Sequence, residues 1–237
     1  MSKFQDLPDE IVLKILENSE TKELITCGQV SQRIRRISFD SSLWVTANLE
    51  KKIVKTELLE MILSKGCKIL NISNSTIVGS LSSNIKSQLR VLDLSQSAMD
   101  LYGPCTENIE VLEELLFLCH SLKHLEMEGL LRTPEMAVSI CMNGKTLQKL
   151  NLNYSVVKKY TDRGAYGPPS AFGSISCLQE IIKWCQELRE INFNGPEGGG
   201  LTSEDLKFLV ENISPNIETL NIKSSCYLDE FVKILLS

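Results

Sequence analysis

Cys119, His120 and His124 place three side chains capable of binding a metal or moving a proton within six residues. A thiolate and two imidazoles suit zinc, but a closed site needs a fourth ligand, and no second pair lies at a usual zinc spacing. The eight cysteines stand at 27, 67, 105, 119, 141, 177, 185 and 226, with no C-x-x-C among them. Scattered in this way they read as small apolar side chains rather than as a disulfide or metal framework. Gly195-Pro-Glu-Gly-Gly-Gly200 lacks the Gly-Lys-Ser/Thr ending that cradles phosphate, so it reads as a turn ahead of a helix at Thr202. Adjacent carboxylates such as Glu113-Glu114 fall on solvated helix faces, and neither G-x-S-x-G nor H-E-x-x-H occurs. No catalytic, metal or cofactor site is expected.

Bulk properties narrow the function classes further. A net charge of −5 over 237 residues argues against a general nucleic-acid or membrane-surface binder. The most apolar run, Val111 to Cys119, is interrupted by Glu113 and Glu114, well short of a bilayer span. The first six residues, Met1-Ser-Lys-Phe-Gln-Asp6, lead into no long apolar core, so a secretory signal is not expected and cytoplasm or nucleus follows. Function in such a chain rests on binding, and the elements that shape a binding surface become the question.

A pattern of apolar-x-x-apolar-x-apolar recurs along most of the chain. It runs Cys67 to Ile72, Leu89 to Leu94, Leu122 to Met127, Leu147 to Leu152, Leu188 to Phe193 and Ile217 to Ile222. The central apolar residue stands at 70, 92, 125, 150, 191 and 220, so the intervals are 22, 33, 25, 41 and 29. Leucine-rich repeats recur every ~20–29 residues, so three intervals fit and two carry insertions. Between the short strands, apolar stripes at spacings of three and four predict helices over 108–119 and 175–184, and Thr202-Ser-Glu-Asp205 opens another. Units of this kind bury their apolar edges only by stacking, which yields a curved solenoid.

Strand alternation sends the repeated leucines inward and Asn71, Asp93, Glu126, Asn151, Asn192 and Asn221 to the concave face. A second row there holds Ser73, Ser95, Glu128, Asn153, Asn194 and Lys223. A polar concave face is common to such solenoids, yet it marks where a protein partner would lie. Phe231 to Ser237 reads as an apolar helix-like end that either closes the last unit itself or leads into a longer array.

The first 50 residues lack the repeat. Pro8 is expected at a first helical position, with Asp9 and Glu10 favouring the positive end of the helix dipole and Ile11, Val12, Ile15 and Leu16 forming a stripe. Further helices are expected over 21–30 and 31–39. A segment this small buries little core alone and calls for a partner.

Leu7-Pro8-Asp9-Glu10 leading into an apolar helix, followed by Glu23-Leu24-Ile25, Gln29-Val30-Ser31 and the closing Ser42-Leu43-Trp44, resembles the F-box. With the repeats that follow, the chain resembles the F-box/leucine-rich-repeat family, most closely its S-phase kinase-associated type. Ser19, Ser31 and Ile34 depart from the family's usual leucine, cysteine and tryptophan. The resemblance implies an α/β chain: a three-helix F-box over 1–50, then a leucine-rich-repeat solenoid over 51–237. That solenoid would be a curved parallel sheet with outer helices, about six repeats and an insertion at 154–174.

By the same resemblance, Leu7, Pro8, Ile11, Ile15, Leu16, Leu24, Val30 and Trp44 would form or support the surface for the adaptor subunit of an SCF ubiquitin ligase. Through that adaptor come cullin and RING subunits, while the repeats take protein substrates, and no cofactor is required. On the residues alone, the same side chains serve equally as the core of a three-helix cap on a leucine-rich-repeat interaction scaffold outside any ligase. Substrate contacts are expected at Glu126, Asn151, Asn153 and Asn192, and in the insertion at Lys158, Lys159, Tyr160, Arg163 and Tyr166. The insertion is either a tolerated surface loop or, by its cations and tyrosines, a contact for an acidic or phosphorylated segment.

Overall fold

The computed structural model describes residues 6–95, 109–130, 133–153, 177–193 and 203–222. It begins with three short helices, α1 (Asp9–Leu16), α2 (Thr21–Cys27) and α3 (Gln32–Ser38), closed by a 3-10 turn at Ser41–Trp44. Pro8 stands one position earlier than the sequence suggested. With φ −56° and ψ 152° it is the N-cap, its carbonyl accepting from the Ile11 and Val12 amides at 3.1 Å each. Proline suits the place because it has no N–H to leave unpaired. Helix α2 stops at Cys27 rather than running to Val30. A Cβ on Gly28 would come within 2.7 Å of the Phe39 ring, so the close approach of α2 to the end of α3 requires glycine there. Ser31, a departure from the family pattern, has its own local role: its hydroxyl accepts from the Ile34 amide at 3.2 Å and caps α3.

Every remaining unit starts with a strand of three residues. Strands β1 (Thr46–Asn48), β3 (Ile69–Asn71), β5 (Val91–Asp93), β6 (His124–Glu126), β7 (Lys149–Asn151), β8 (Glu190–Asn192) and β9 (Thr219–Asn221) form one parallel sheet in chain order. The central residues Ala47, Leu70, Leu92, Leu125, Leu150, Ile191 and Leu220 stand opposite one another in successive pairs. Strands β2 (Ile53–Lys55) and β4 (Thr76–Val78) make a separate parallel pair. Helices α4 (Thr56–Ser64), α5 (Ile109–Phe117), α6 (Pro134–Met142), α7 (Cys177–Trp184) and α8 (Ser203–Asn212) fall between strands of the large sheet, as parallel connections require. Among them, α5 packs on α6, α6 on α7 and α7 on α8.

Among the described residues the sheet has seven strands where the repeat pattern counts six, because Thr46–Asn48 joins it from inside the first 50 residues. Helices α4 and α6 are likewise additional to the three read from the sequence. Leu70, Leu92, Leu125, Leu150 and Ile191 are buried, as are the first and last apolar positions of the same units. Leu220, in the last described strand, is only half-buried.

One buried polar side chain ties neighbouring units. The Asn143 amide donates to the Cys119 carbonyl at 2.8 Å and the Ser139 carbonyl at 3.1 Å, while its oxygen accepts from the Leu122 amide at 2.9 Å. With those bonds made, its burial carries no unsatisfied-group penalty. Ser214 repeats the device one step on, donating to the Gln186 carbonyl at 2.6 Å. Of the Cys119–His120–His124 cluster, the Cys119 thiol is turned to the Leu115 carbonyl at 3.2 Å and burial pushes its pKa up to about 12. His120 is exposed.

Candidate functional site

Two surfaces collect the residues singled out in the sequence. On the three-helix unit, the α1 stripe divides by its turn. Val12 and Leu16 face the interior, while Ile11 and Ile15, one turn apart on the same side, are 46% and 47% exposed. Val30, between α2 and α3, is 73% exposed. Pro8 is exposed and Leu7 half-buried. Leu24 is buried together with Leu16, and Trp44 has no exposure at all. The eight residues thus separate into an outward set, Pro8, Ile11, Ile15 and Val30, and an inward set that holds it in place.

Trp44 organises the inward set. Its indole N–H donates to the Ser38 carbonyl at 2.9 Å and its ring lies 5.8 Å from that of Phe39. On the opposite side, Asp9 bridges α1 to α3. Its carboxylate accepts from Arg33 at 2.7 Å and from Arg36 at 2.5 Å, and Arg33 also donates to the Leu7 carbonyl. Hydrogen bonding from Arg33 above all, with Arg36 assisting, holds the Asp9 carboxyl below its usual pKa. The ion pair fixes the Leu7-Pro8 turn to the third helix. Sequence spacing alone gave no sign of it, since Asp9 and Arg33 lie 24 residues apart.

The second surface is the solvent face of the sheet. Asn48, Asn71, Asp93, Glu126, Asn151, Asn192 and Asn221 form a row in register across all seven strands. Several of these side chains also end their own strands. The side-chain oxygens of Asn48, Asn71, Asp93 and Asn151 each accept from the amide two residues on, at 2.9 to 3.0 Å. Such Asx turns explain why asparagine and aspartate recur there. Ser73, expected on the exposed second row, is buried; Ser95, Glu128 and Asn153 are half-buried. Asn194 and Lys223, with the insertion residues Lys158, Lys159, Tyr160, Arg163 and Tyr166, lie outside the described residues.

Charge on this face is graded. Burial raises the Glu126 pKa, with Asp93, Glu190 and Glu128 adding to the effect and a hydrogen bond from Asn151 opposing it. Glu128 is raised for the same first reason, with Asp93 contributing. One row over, Lys149 pairs with Glu190 at 2.9 Å. Burial, then the Lys149 charge, hold His124 below its ordinary value. The middle of the sheet therefore presents carboxylates that a cationic partner would stabilise. Among the described residues no group of three or more His, Cys, Asp or Glu is placed to hold a metal ion.

A scan against protein families matches residues 4–50 to the F-box-like model. The match spans the three helices, the Trp44 turn and strand β1. The chain therefore carries an F-box-like domain at its start, and that domain includes the first strand of the sheet.

Proposed function

We propose that this chain is the substrate-recognition subunit of an SCF-type E3 ubiquitin ligase, binding the adaptor through residues 4–50 and target proteins through the sheet. The F-box-like match over helices that leave Ile11, Ile15 and Val30 uncovered carries the reading. Exposed aliphatic side chains held by a rigid interior are what an obligate docking face requires. F-box proteins are in general non-catalytic receptors. The contribution here would be proximity, holding a substrate lysine near the conjugating enzyme brought in by cullin and RING subunits.

The stacked sheet is read as a leucine-rich-repeat solenoid of the S-phase kinase-associated type, acting in the cytoplasm or nucleus without nucleic acid or membrane. Its support is the unbroken chain order of seven three-residue strands with a buried aliphatic at the centre of each of the first six. Glu126, Asn151, Asn153 and Asn192, with the insertion residues Lys158, Lys159, Tyr160, Arg163 and Tyr166, would supply the substrate contacts.

A second reading, an interaction scaffold outside any ligase, is favoured by one observation. Leu16, Leu24 and Trp44 are core, and the domain delivers a strand to the sheet, so it also caps the stack. Reconstitution separates the two. Co-expression with adaptor, cullin and RING should give a stable four-protein assembly that, supplied with activating and conjugating enzymes, ubiquitin and ATP, modifies co-purified targets. A chain that stays apart from the adaptor while still binding targets supports the scaffold.

A further inference from the structure

A groove of about 620 Å³ lies on the helical side of the molecule, away from both surfaces above, between the 81–83 segment and helices α5 and α6. Leu81, Phe117, Leu118 and Val138 supply its apolar lining, and Phe117 is 58% exposed. Four carboxylates, Glu110, Glu113, Glu114 and Glu135, also line it, and among the described lining residues there is no lysine, arginine or histidine.

The walls are fixed in place by neutral donors. Glu114 accepts from the Leu81 amide at 2.8 Å, and Glu60 of α4 accepts from the Ser82 amide at 2.6 Å, which straps the segment across two helices. Glu113 accepts from the Thr133 hydroxyl at 2.5 Å, joining α5 to the N-cap of α6. Among the described lining residues no cation meets this negative charge, and Glu110 and Glu135 remain exposed above the apolar floor. A groove held open in this way needs no reorganisation to accept an occupant.

We propose that this groove docks a basic, apolar segment of a partner protein, with lysine or arginine interleaved among aliphatic side chains. Apolar residues would fill the floor, while cations would meet Glu110 and Glu135 and the face of Phe117. Anionic membranes and nucleic acids are disfavoured by the same four carboxylates. The proposal stands independently of the ligase reading, since neither the F-box-like helices nor the exposed sheet face contributes to the groove.

The test uses the full chain and two fluorescein-labelled helical peptides sharing one leucine stripe, with lysine or glutamate at the other positions. Anisotropy titration at physiological salt should show saturable binding of the lysine peptide only. Affinity should fall about tenfold or more in Glu110→Lys/Glu135→Lys and in Phe117→Ser. Glu187→Lys/Glu211→Lys changes net charge equally at exposed sites that do not line the groove and should bind as the unmodified chain does. A photoreactive leucine in the peptide should attach to groove residues of the unmodified chain, a readout that does not depend on any variant folding. Equal binding by all forms, an equal loss in the control, or crosslinks outside the groove would overturn the proposal. So would groove-dependent binding of anionic vesicles or an oligonucleotide, or self-association in sedimentation that Glu110→Lys/Glu135→Lys abolishes.

Discussion

Trp44 donates its indole N–H to the Ser38 carbonyl at 2.9 Å from a position with no solvent exposure, and that bond ties the turn ahead of the sheet to α3. After Val45 the chain enters strand β1, whose Ala47 stands opposite Leu70. The Asn48 amide, in turn, donates back to the Thr21 hydroxyl of α2 at 2.9 Å. Helices and sheet thus share one continuous core.

Trp44→Ala should therefore destabilise by about 3–5 kcal/mol, the usual cost of emptying a large aromatic site. Trp44→Phe keeps most of the volume and should cost about 1 kcal/mol for the lost hydrogen bond plus a smaller packing term. Hydrogen exchange should show α1–α3 and β3 losing protection together in the alanine variant. Loss confined to the helices would mean that the two parts fold separately.

Asp9 gives a pH signature. Its folded pKa is depressed, so its stabilising contribution is present above the unfolded carboxylate value and is lost as pH falls through the folded one. Asp9→Asn should lower the melting temperature at neutral pH, and the difference should close in strong acid. The pair is partly solvated, so added salt should shrink the effect. A pH-independent difference would show that the ionised carboxylate does not carry the effect.

Leu150 and Leu220 occupy equivalent strand positions with unequal burial. Leu150→Asp should cost several kcal/mol, since a carboxylate there has neither water nor a partner. Leu220→Asp should cost distinctly less. Equal urea midpoints for the two variants would contradict the description of the sheet's end.

Glu126→Gln removes a carboxylate whose pKa is raised by burial first, and then by Asp93, Glu190 and Glu128. A raised folded pKa means that ionisation opposes folding, so the variant should gain stability as pH rises from the unfolded carboxylate value to the folded one and keep that gain above it. No gain should appear in acid, where the carboxyl is neutral. A loss at neutral pH would show that the Asn151 hydrogen bond outweighs the repulsion.

The strand positions were legible because a leucine pattern with period two survives any variation in the connections. Six strands follow from Cys67 onward; the seventh stands out less because its centre is Ala47, where the other units carry leucine or isoleucine. The spacing was nonetheless present, since Ala47 precedes Leu70 by 23 residues. Helix α6 escaped notice because its buried residues include Ala137 and Ser139, which blur the apolar stripe, although Thr133-Pro134 is a strong start signal. At the candidate site, the motif identified which residues belong together but not which face out. Ile11 and Val12 are equally apolar, and only packing against α3 decides that one is buried and the other exposed. The Asp9–Arg33 bridge and the Asn143 tie are long-range pairings that no local pattern encodes.

Under the proposed function, Ile11 and Ile15 bind the adaptor. The most direct test is calorimetric titration of adaptor into the chain and into Ile11→Glu/Ile15→Asp, with circular dichroism confirming the fold of both. Because both side chains lie outside the core, the account predicts an unchanged melt with affinity reduced about a hundredfold or more, on the scale of two hot-spot residues replaced by charges. Unaltered adaptor affinity in the folded double variant, or no adaptor binding by the unmodified chain, would contradict it.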